Sequence, residues 1–174
     1  MQWASCTFPT LDSQSTDADI PQFQVRFSPA LANKPKSNKP NGLEEKPIDP
    51  FSDPPKGLFI ADFPFHNLVL NKFPIIPDHF ILATKEFKEQ THLLEEGDLA
   101  AAYMCLAAYR ESGEGLFGFF NSGEHSGASQ PHRHIQFLPV ESMRSGIDAG
   151  KTWDVLADSL LKTPKPGGSS DIGL

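Results

Sequence analysis

Cysteine is scarce in this chain of 174 residues, which contains only Cys6 and Cys105. The two form neither a Cys-x-x-Cys pair nor a disulfide framework, a pattern that is typical of proteins from a reducing compartment. The sequence also lacks an apolar run near the roughly 20 residues that a membrane-spanning helix needs. Its first residues lack the basic start and apolar block of a signal peptide. We therefore expect a cytoplasmic location, with the nucleus as a second location, and no membrane partner.

Positive charge is also in short supply. The chain has 15 lysines and arginines against 22 aspartates and glutamates, for a net charge of −7 and a pI near 5.3. This balance argues against a nucleic acid or an anionic membrane surface as the main partner. It does not exclude a small nucleotide, which needs only a local positive pocket.

Size and composition predict one domain with irregular ends. A chain with 39% hydrophobic residues and 14 phenylalanines can bury one substantial core. Residues 1–56 hold nine of the 16 prolines, and we expect them to form a proline-rich extension with one short strand at 23–27. Residues 57–140 should form the core, and residues 141–174 a tail with a short helix near 152–161.

Short blocks rich in Leu, Ile, Val and Phe, separated by turns that carry proline, predict an antiparallel sheet. One helix is expected after the third strand, with Asp98 as its N-cap and an apolar face formed by Leu99, Tyr103 and Leu106. This helix should pack across the sheet, with Cys105 in the core. The fold class is therefore α+β, with about five strands at residues 58–62, 67–71, 80–84, 116–120 and 135–138.

Residues 121–139 contain the motif around which the other segments are arranged. The part from Ser122 to Gln130 is small and polar with two glycines, so its backbone can turn tightly and offer N–H groups and hydroxyls to an anion, as a phosphate cradle does. In the following part, His132, His134 and Gln136 alternate with other residues. This alternation predicts a strand with two imidazoles and an amide on one face.

The motif indicates a type of chemistry. Imidazole has a reference pKa of about 6.5, so much of it is unprotonated near neutral pH, and a ring nitrogen can attack phosphorus without a separate base. A phosphate cradle beside such a nitrogen indicates nucleotidyl transfer through a phospho-histidine intermediate.

The run Ser-Gly-Ala-Ser-Gln-Pro-His-x-His-x-Gln at 126–136 resembles the active-site signature of the fungal-type ATP adenylyltransferases, also called diadenosine tetraphosphate phosphorylases. These enzymes belong to the wider histidine-triad (HIT-like) and galactose-1-phosphate uridylyltransferase group. The resemblance extends to His-Asn-Leu-Val-Leu-Asn-Lys-Phe-Pro at 66–74, to His-Phe-Ile-Leu-Ala-Thr at 79–84 and, more loosely, to Leu-Ala-Asn-Lys-Pro at 31–35. It covers about residues 20–140 and implies a HIT-like fold.

The resemblance implies phosphorolysis of diadenosine tetraphosphate to ATP and ADP, with the reverse adenylyl transfer, through an adenylyl-histidine intermediate. It implies that His134 is the nucleophile, that His132 braces it through its backbone, and that Gln136 donates an amide hydrogen bond to the attacked phosphate. Such preorganised donors would stabilise charge as the imidazole attacks in line. The residues that it implies for substrate binding are Lys34, Asn71, Lys72, Asn121, Gly127, Ala128, Ser129 and Gln130. We expect Asn121, Lys72, His134 and Gln136 to converge on one pocket.

The partners that the resemblance implies are ATP, ADP, diadenosine tetraphosphate and phosphate. The sequence requires no cofactor, although a divalent cation such as Mg²⁺ could accompany the nucleotide. Members of the family continue into a second segment that supplies further substrate-binding residues, so we expect this chain to correspond to their N-terminal half. Two classes stay open: a nucleotidyltransferase or hydrolase of reduced scope, and a nucleotide-binding protein without turnover that associates with a complementary chain or with itself.

Other motifs have alternative interpretations. The His-x-His pair also fits a zinc site, with His125 or His79 as a third ligand in a metal-dependent hydrolase. This is the lesser alternative, because the phosphate-type loop would then have no role. Gly-x-Gly-x-x-Gly at 113–118 leaves a helix and enters a strand, the reverse of the dinucleotide-binding fingerprint, and we interpret it as a helix stop plus a turn. The motif does not explain His66, His79, His92 and His125, which are expected to be surface or locally hydrogen-bonded histidines.

Overall fold

The computed structural model describes residues 49–123, 125–147 and 154–158. Within these residues the chain forms one five-stranded sheet and one long helix, so the predicted α+β class is confirmed. The strands are β1 (Phe59–Asp62), β2 (His66–Leu70), β3 (Phe80–Thr84), β4 (Leu116–Phe119) and β5 (His134–Pro139). A 3₁₀ turn (Lys56–Leu58) precedes β1, helix α1 (Glu96–Glu111) joins β3 to β4, and helix α2 (Val140–Arg144) follows β5.

The motif strand lies inside the sheet. The strand order is β1-β2-β3-β5-β4, and every neighbouring pair is antiparallel. On β5, His134 lies opposite Ala83, and Gln136 lies opposite Ile81 on one side and Phe119 on the other. Because hydrogen-bonded strands flank β5 on both sides, the backbone that carries His134 and Gln136 is held in one register.

The two faces of the sheet bury different clusters. The face toward α1 holds the main core, formed by Phe80, Leu82, Ala101, Cys105, Ile135 and Phe137. The opposite face, called the outer face below, holds a smaller cluster formed by Val69, Ile81, Ala83 and Phe51. Directly opposed residues of an antiparallel pair share a face. His134 and Gln136, which oppose Ala83 and Ile81, therefore lie on the outer face.

Helix α1 packs across the sheet as expected, but the predicted N-cap and the predicted apolar face were partly wrong. Glu95 is the N-cap, and Asp98 is the third helical residue, whose carboxylate accepts the Glu95 N–H at 2.8 Å and completes a capping box. Leu99 and Tyr103 are 56% and 61% exposed. Ala101 and Cys105 are the α1 residues buried in the core, and Leu106 packs against that core, so the buried face includes Leu106 but not Leu99 or Tyr103.

Cys105 lies in the core as predicted. Its side chain is buried between α1 and the sheet, and burial raises the pKa of the thiol to about 11.

The glycine run at 113–118 forms a helix stop and a turn, as interpreted: Gly113, with φ of 81°, follows the helix C-cap. At Gly118 a Cβ atom would lie 2.9 Å from a ring carbon of Phe137, so a side chain there would disturb the core.

Some expectations fall partly or wholly beyond the described residues. The predicted strand at 23–27 lies outside them, as does half of the predicted helix near 152–161, of which residues 154–158 are described. Helix α2 directly after β5 was not predicted. In the described part of the chain, no helix has both the length and the apolar character that crossing a membrane requires.

Candidate active site

His134 begins β5 and has a defined ring orientation. Its Nδ1 lies 2.7 Å from the backbone carbonyl oxygen of His132. Because a carbonyl can only accept a hydrogen bond, Nδ1 carries the proton and Nε2 carries the lone pair. The sequence resemblance implied bracing by the His132 backbone, and this contact has the geometry for that role.

Burial keeps the His134 ring neutral. The side chain is 5% exposed, and burial lowers the pKa of His134 below its ordinary value of 6.5, although the bond to the His132 carbonyl acts in the opposite direction. The nearby His132 ring lowers this pKa further. An unprotonated Nε2 is therefore available at neutral pH.

Gln136 is oriented by a chain of hydrogen bonds that begins at the end of β2. The Asn71 side-chain oxygen accepts the Phe73 N–H at 2.9 Å, so the Asn71 amide NH₂ can donate to His79 Nδ1 at 3.2 Å. His79 Nε2 then donates to Gln136 Oε1 at 3.1 Å. This polarity makes the Gln136 NH₂ group a donor on the same face as His134, and it bonds to no acceptor among the described residues.

His79 suits this role because it stays neutral. Burial lowers its pKa below 6.5, the hydrogen bond that His79 donates to Gln136 acts in the opposite direction, and the neighbouring His134 lowers the pKa further. The residue before it, Asp78, has a φ of 59°, a left-handed conformation that aspartate tolerates in tight turns. His79 thus proves to be a buried, locally hydrogen-bonded histidine that connects Asn71 with Gln136.

His132 precedes the strand instead of forming part of it. It pairs with Glu89 through an isolated bridge, so the regular alternation covers only His134 and Gln136. Its side chain is 1% exposed, and both ring nitrogens have partners. Nε2 lies 2.9 Å from the Thr84 hydroxyl, and Nδ1 lies 2.6 Å from the carboxylate of Asp49.

Gln90 connects the nucleophile strand to the loop before it. Its side chain is buried, its Oε1 accepts the His134 N–H at 2.7 Å, and its Nε2 donates to the carbonyl oxygens of Asn121 and His134 at 2.8 and 3.1 Å. Its own backbone N–H donates to Pro131 at 2.8 Å. One amide therefore fixes the start of β5 and the start of the glycine-containing loop relative to each other.

That loop has the turns expected of a cradle. Gly123 and Gly127 adopt φ values of 95° and 80°, which favour glycine. The Ser126 hydroxyl donates to the Gly123 carbonyl at 2.8 Å. A cleft of about 320 Å³ lies between the loop and the segment after β3, and it is lined by Glu89, Gln90, Thr91, Gly123, Ala128, Ser129, Gln130 and Pro131.

Arg133 anchors the motif on the other side of the sheet. Its Nη1 donates to Glu95 at 2.8 Å and to Asp98 at 2.9 Å, and His66 Nε2 donates to the second oxygen of Asp98 at 2.7 Å. Burial alone would raise the pKa of Asp98, but the backbone N–H of Glu95, His66 and Arg133 together lower it below its usual range. This buried ion cluster joins the residue between the two motif histidines to the first turn of α1.

The predicted site residues are brought together in part. Asn71, His134 and Gln136 lie on the outer face through the contacts above, and Ala128, Ser129 and Gln130 line the cleft. Asn121 is held near His134 through Gln90. Lys72 is exposed and its ammonium group lies 5.7 Å from the centroid of the Phe73 ring, so its convergence on the pocket stays a prediction. Lys34 lies outside the described residues.

The geometry gives little support to the metal alternative. Both ring nitrogens of His132 are engaged, and Nδ1 of His134 is held by a carbonyl. His125 is exposed in the loop, and His79 is committed to Asn71 and Gln136. Within the described ranges, no group of three or more His, Cys, Asp or Glu side chains could hold a metal ion.

Three residues organise the site in ways that the sequence did not predict. Gln90 and Asp49 were not recognised as site residues, and His79 was noted without its role. They contact the motif from positions 44, 83 and 57 residues away along the chain. The run from 79 to 84 had signalled His79 as part of the family resemblance, but not its contact with Gln136. For Gln90 and Asp49 the sequence carried no signal beyond their lying near predicted strands.

Comparison with known proteins gives the following matches. A family model described as the Ap4A phosphorylase N-terminal domain matches residues 4–149, where Ap4A denotes diadenosine tetraphosphate. Diadenosine 5',5'''-P1,P4-tetraphosphate phosphorylase 2 of Saccharomyces cerevisiae is 38% identical over 129 residues, which are 68% of this chain and 39% of that protein. Protein APA1 of the same yeast is 36% identical over 126 residues, 68% of this chain and 38% of that protein. The chain thus spans about two fifths of the length of these relatives.

The chain is also similar to several solved structures. Yeast Ap4A phosphorylase Apa2 in complex with AMP is 38% identical, with a TM-score of 0.48 over 53% of this chain and 34% of that chain. The same protein in complex with Ap4A is 32% identical, with a TM-score of 0.49 over 58% and 40%. A histidine triad nucleotide-binding protein from Candida albicans is 16% identical, with a TM-score of 0.42 over 60% and 81%.

Proposed function

Because the chain belongs to the family of Ap4A phosphorylase N-terminal domains, we propose that it binds ATP and diadenosine tetraphosphate and transfers adenylyl groups through His134. The proposed overall reaction converts diadenosine tetraphosphate and phosphate into ATP and ADP, and also runs in reverse. The observation that carries the proposal is the contact between His134 Nδ1 and the His132 carbonyl at 2.7 Å. It leaves the Nε2 lone pair as the nucleophile without a separate base.

The proposed chemistry has two half-reactions. In the first, His134 Nε2 attacks the α-phosphorus of one adenosine half, the P–O bond to the bridging oxygen breaks, ATP leaves, and AMP remains on the nitrogen. In the second, inorganic phosphate attacks the same phosphorus, the P–N bond breaks, and ADP leaves. Throughout, the His132 carbonyl keeps its hydrogen bond from Nδ1–H and stabilises the positive charge that the ring develops as Nε2 forms its bond.

The proposed binding groups are hydrogen-bond donors. The Gln136 NH₂, oriented by His79, would donate to the attacked phosphate, and the backbone and hydroxyls of Gly127, Ala128 and Ser129 would bind the neighbouring phosphates. Fixed donors of this kind stabilise charge without having to reorient during the reaction, because folding has already oriented them. Asn121, whose carbonyl is held by Gln90, and Asn71, which is hydrogen-bonded to His79, would also contact the nucleotide in this proposal.

A second function is favoured by one observation. The chain spans 39% and 38% of the two curated relatives, so the acceptor phosphate in the second half-reaction could depend on residues that this chain does not share with them. The alternative is therefore a protein that binds nucleotide, alone or with a partner chain, without turnover.

Incubation with ATP or diadenosine tetraphosphate labelled in the α-phosphate separates the two functions. We expect wild-type protein to acquire AMP that is stable to base and labile to acid, and His134→Ala to bind nucleotide without acquiring it, because the cradle donors remain. His92→Ala is the matched control, since His92 is an exposed histidine outside the site. Reactions with Mg²⁺ and with a chelator show whether a divalent cation must accompany the nucleotide.

The second half-reaction is tested by adding phosphate to the labelled protein. Release of ADP supports the phosphorylase reaction, and labelling without release supports a protein limited to the first half-reaction. Wild-type protein that binds ATP but never carries acid-labile AMP under these conditions would replace the enzyme proposal with nucleotide binding alone.

A further inference from the structure

The segment before β1 covers the two motif histidines. Residues 49–55 precede the 3₁₀ turn, and Phe51 is buried at 6% exposure in the outer-face cluster with Val69, Ile81 and Ala83. Ala83 lies directly opposite His134. The segment therefore crosses the outer face at the position where β5 carries its nucleophile.

Asp49 fixes the His132 ring from one side. Its Oδ2 lies 2.6 Å from His132 Nδ1, and Thr84 approaches the other ring nitrogen at 2.9 Å. A carboxylate only accepts, so Nδ1 of His132 must carry a proton, and the Thr84 hydroxyl can donate to Nε2 when that nitrogen bears a lone pair. With both ring nitrogens held, the His132 backbone carbonyl that accepts from His134 Nδ1 is held as well.

Phe51 packs on both histidine rings. Its centroid lies 5.1 Å from that of His134 at an interplanar angle of 39°, and 5.7 Å from that of His132 at 83°. These distances fall in the range of favourable aromatic pairs. Phe51 thus limits the rotation of His134 and excludes water from one side of its ring.

Asp49 and Phe51 form one unit. The second carboxylate oxygen of Asp49 accepts the Phe51 N–H at 2.9 Å, and the Ser52 hydroxyl donates to the Asp49 carbonyl at 3.0 Å. Asp49 therefore bonds simultaneously to His132 and to the backbone that carries Phe51. A displacement of either side chain would be transmitted to the other.

We infer that Asp49 and Phe51 are positioning residues of the catalytic site, which hold His132 and His134 in the geometry that nucleophilic attack requires. Asp49 acts through His132 and its carbonyl, and Phe51 acts directly on the His134 ring. Neither touches the reacting phosphate. The inference about catalysis rests on the proposed function, but the two structural tests below do not require activity.

The first test uses long-range ¹H–¹⁵N NMR at pH 8 to determine which ring nitrogen of His132 is protonated. We expect Nδ1 to be protonated in the wild type and Nε2–H to become populated in Asp49→Ala, because Thr84 can accept from it. Asp49→Asn serves where the alanine variant does not fold, since its amide offers a donor as well as an acceptor and no longer dictates the tautomer. Asp53→Ala, an exposed carboxylate nearby in the same segment, is the control. Nδ1 protonation that is unchanged in the folded Asp49 variants would overturn the role of Asp49.

The second test measures the pKa of His134 in the same spectra. Burial lowers this pKa, so Phe51→Ala should raise it toward the ordinary value, whereas Phe51→Leu, which refills the volume, should keep it lower. The titratable neighbours His79 and His132 are unchanged in these variants, and their signals are followed alongside. Phe65→Ala, at a 73% exposed position, is the control. A Phe51→Ala variant with the wild-type pKa at His134 would overturn the role of Phe51.

The third test connects both residues to the reaction. Because displacement of a reacting group by about 1 Å can cost up to about 100-fold in rate, we expect Asp49→Ala and Phe51→Ala to slow AMP labelling of His134 by about 10- to 100-fold with little change in ATP affinity. Labelling at the wild-type rate in both would overturn the inference. A wild-type protein that never labels would instead refute the proposed function, and the NMR measurements would still decide the positioning of the histidines.

Discussion

Replacing Gln90 by leucine should reveal how strongly one buried amide holds the active site together. Gln90→Leu keeps a side chain of similar size but removes every polar atom. The His134 N–H then loses its partner at 2.7 Å, and the carbonyl oxygens of Asn121 and His134 lose donors at 2.8 and 3.1 Å. The start of β5 and the start of the loop would no longer be joined.

The cost follows from burial. Leaving a buried polar group without its partner costs about 1–3 kcal/mol. The His134 N–H bears the full penalty, and the two carbonyls bear part of it because each has a second lone pair. We therefore expect Gln90→Leu to lower the free energy of unfolding by about 2–5 kcal/mol, a large part of the 5–15 kcal/mol typical of a domain.

Urea denaturation followed by circular dichroism measures this loss. Thr91→Val is the matched control, since Thr91 is adjacent and exposed and its replacement should change stability by no more than about 0.5 kcal/mol. Gln90→Glu adds a second test: when protonated, it can donate as glutamine does, so its deficit relative to wild type should be smaller at pH 5 than at pH 7.5. A Gln90→Leu variant as stable as Thr91→Val would refute the reasoning.

Three further predictions concern the core and the site. Burial lowers the pKa of His79 and His134 below 6.5, so the unfolded chain binds the proton more readily. Stability to urea should fall as the pH drops below 6.5, by up to about 1.4 kcal/mol per pH unit for each histidine, and a rise on acidification would contradict this. Gly118→Ala, which brings a Cβ to 2.9 Å from Phe137, should cost about 1–3 kcal/mol in thermal unfolding, whereas an unchanged melting curve would show that the ring can move aside. Lys72→Ala should weaken ATP binding, measured by calorimetry, more at low salt than at high salt, and equal affinities at low salt would count against a role for this ammonium group.

The sheet could be predicted from the sequence because its signal is local. Each strand carries apolar residues between turns, and the predicted bounds at 80–84 coincide with β3. The start and face of α1 could not be predicted in the same way. Asp98 is a good N-cap residue by type, but its carboxylate is held by His66 of β2 and by Arg133, which directly precedes β5. This tertiary cluster lets the helix begin earlier and turns Leu99 toward solvent.

In the candidate site, too, the residues that are contiguous in the sequence were predicted, whereas the contacts from distant segments were not. The loop and His134 were predicted because they are contiguous, and the family resemblance that they carried is confirmed by the match to residues 4–149. The contacts that orient these groups come from segments far away in the sequence. Gln90, His79 and Asp49 reach the motif only after the sheet has formed, so no spacing within one stretch could indicate their partners.

The burial of Cys105 has a practical consequence for observing the molecule. A thiol reacts as its thiolate, and with a pKa of about 11 and a place between α1 and the sheet, this one should resist alkylating reagents while the domain is closed. In a Cys6→Ser background it would be the single thiol in the chain. The rate of its modification would then report how often the interface between helix and sheet opens. A change in that rate would show whether bound nucleotide, or a substitution at the site, alters the frequency of opening.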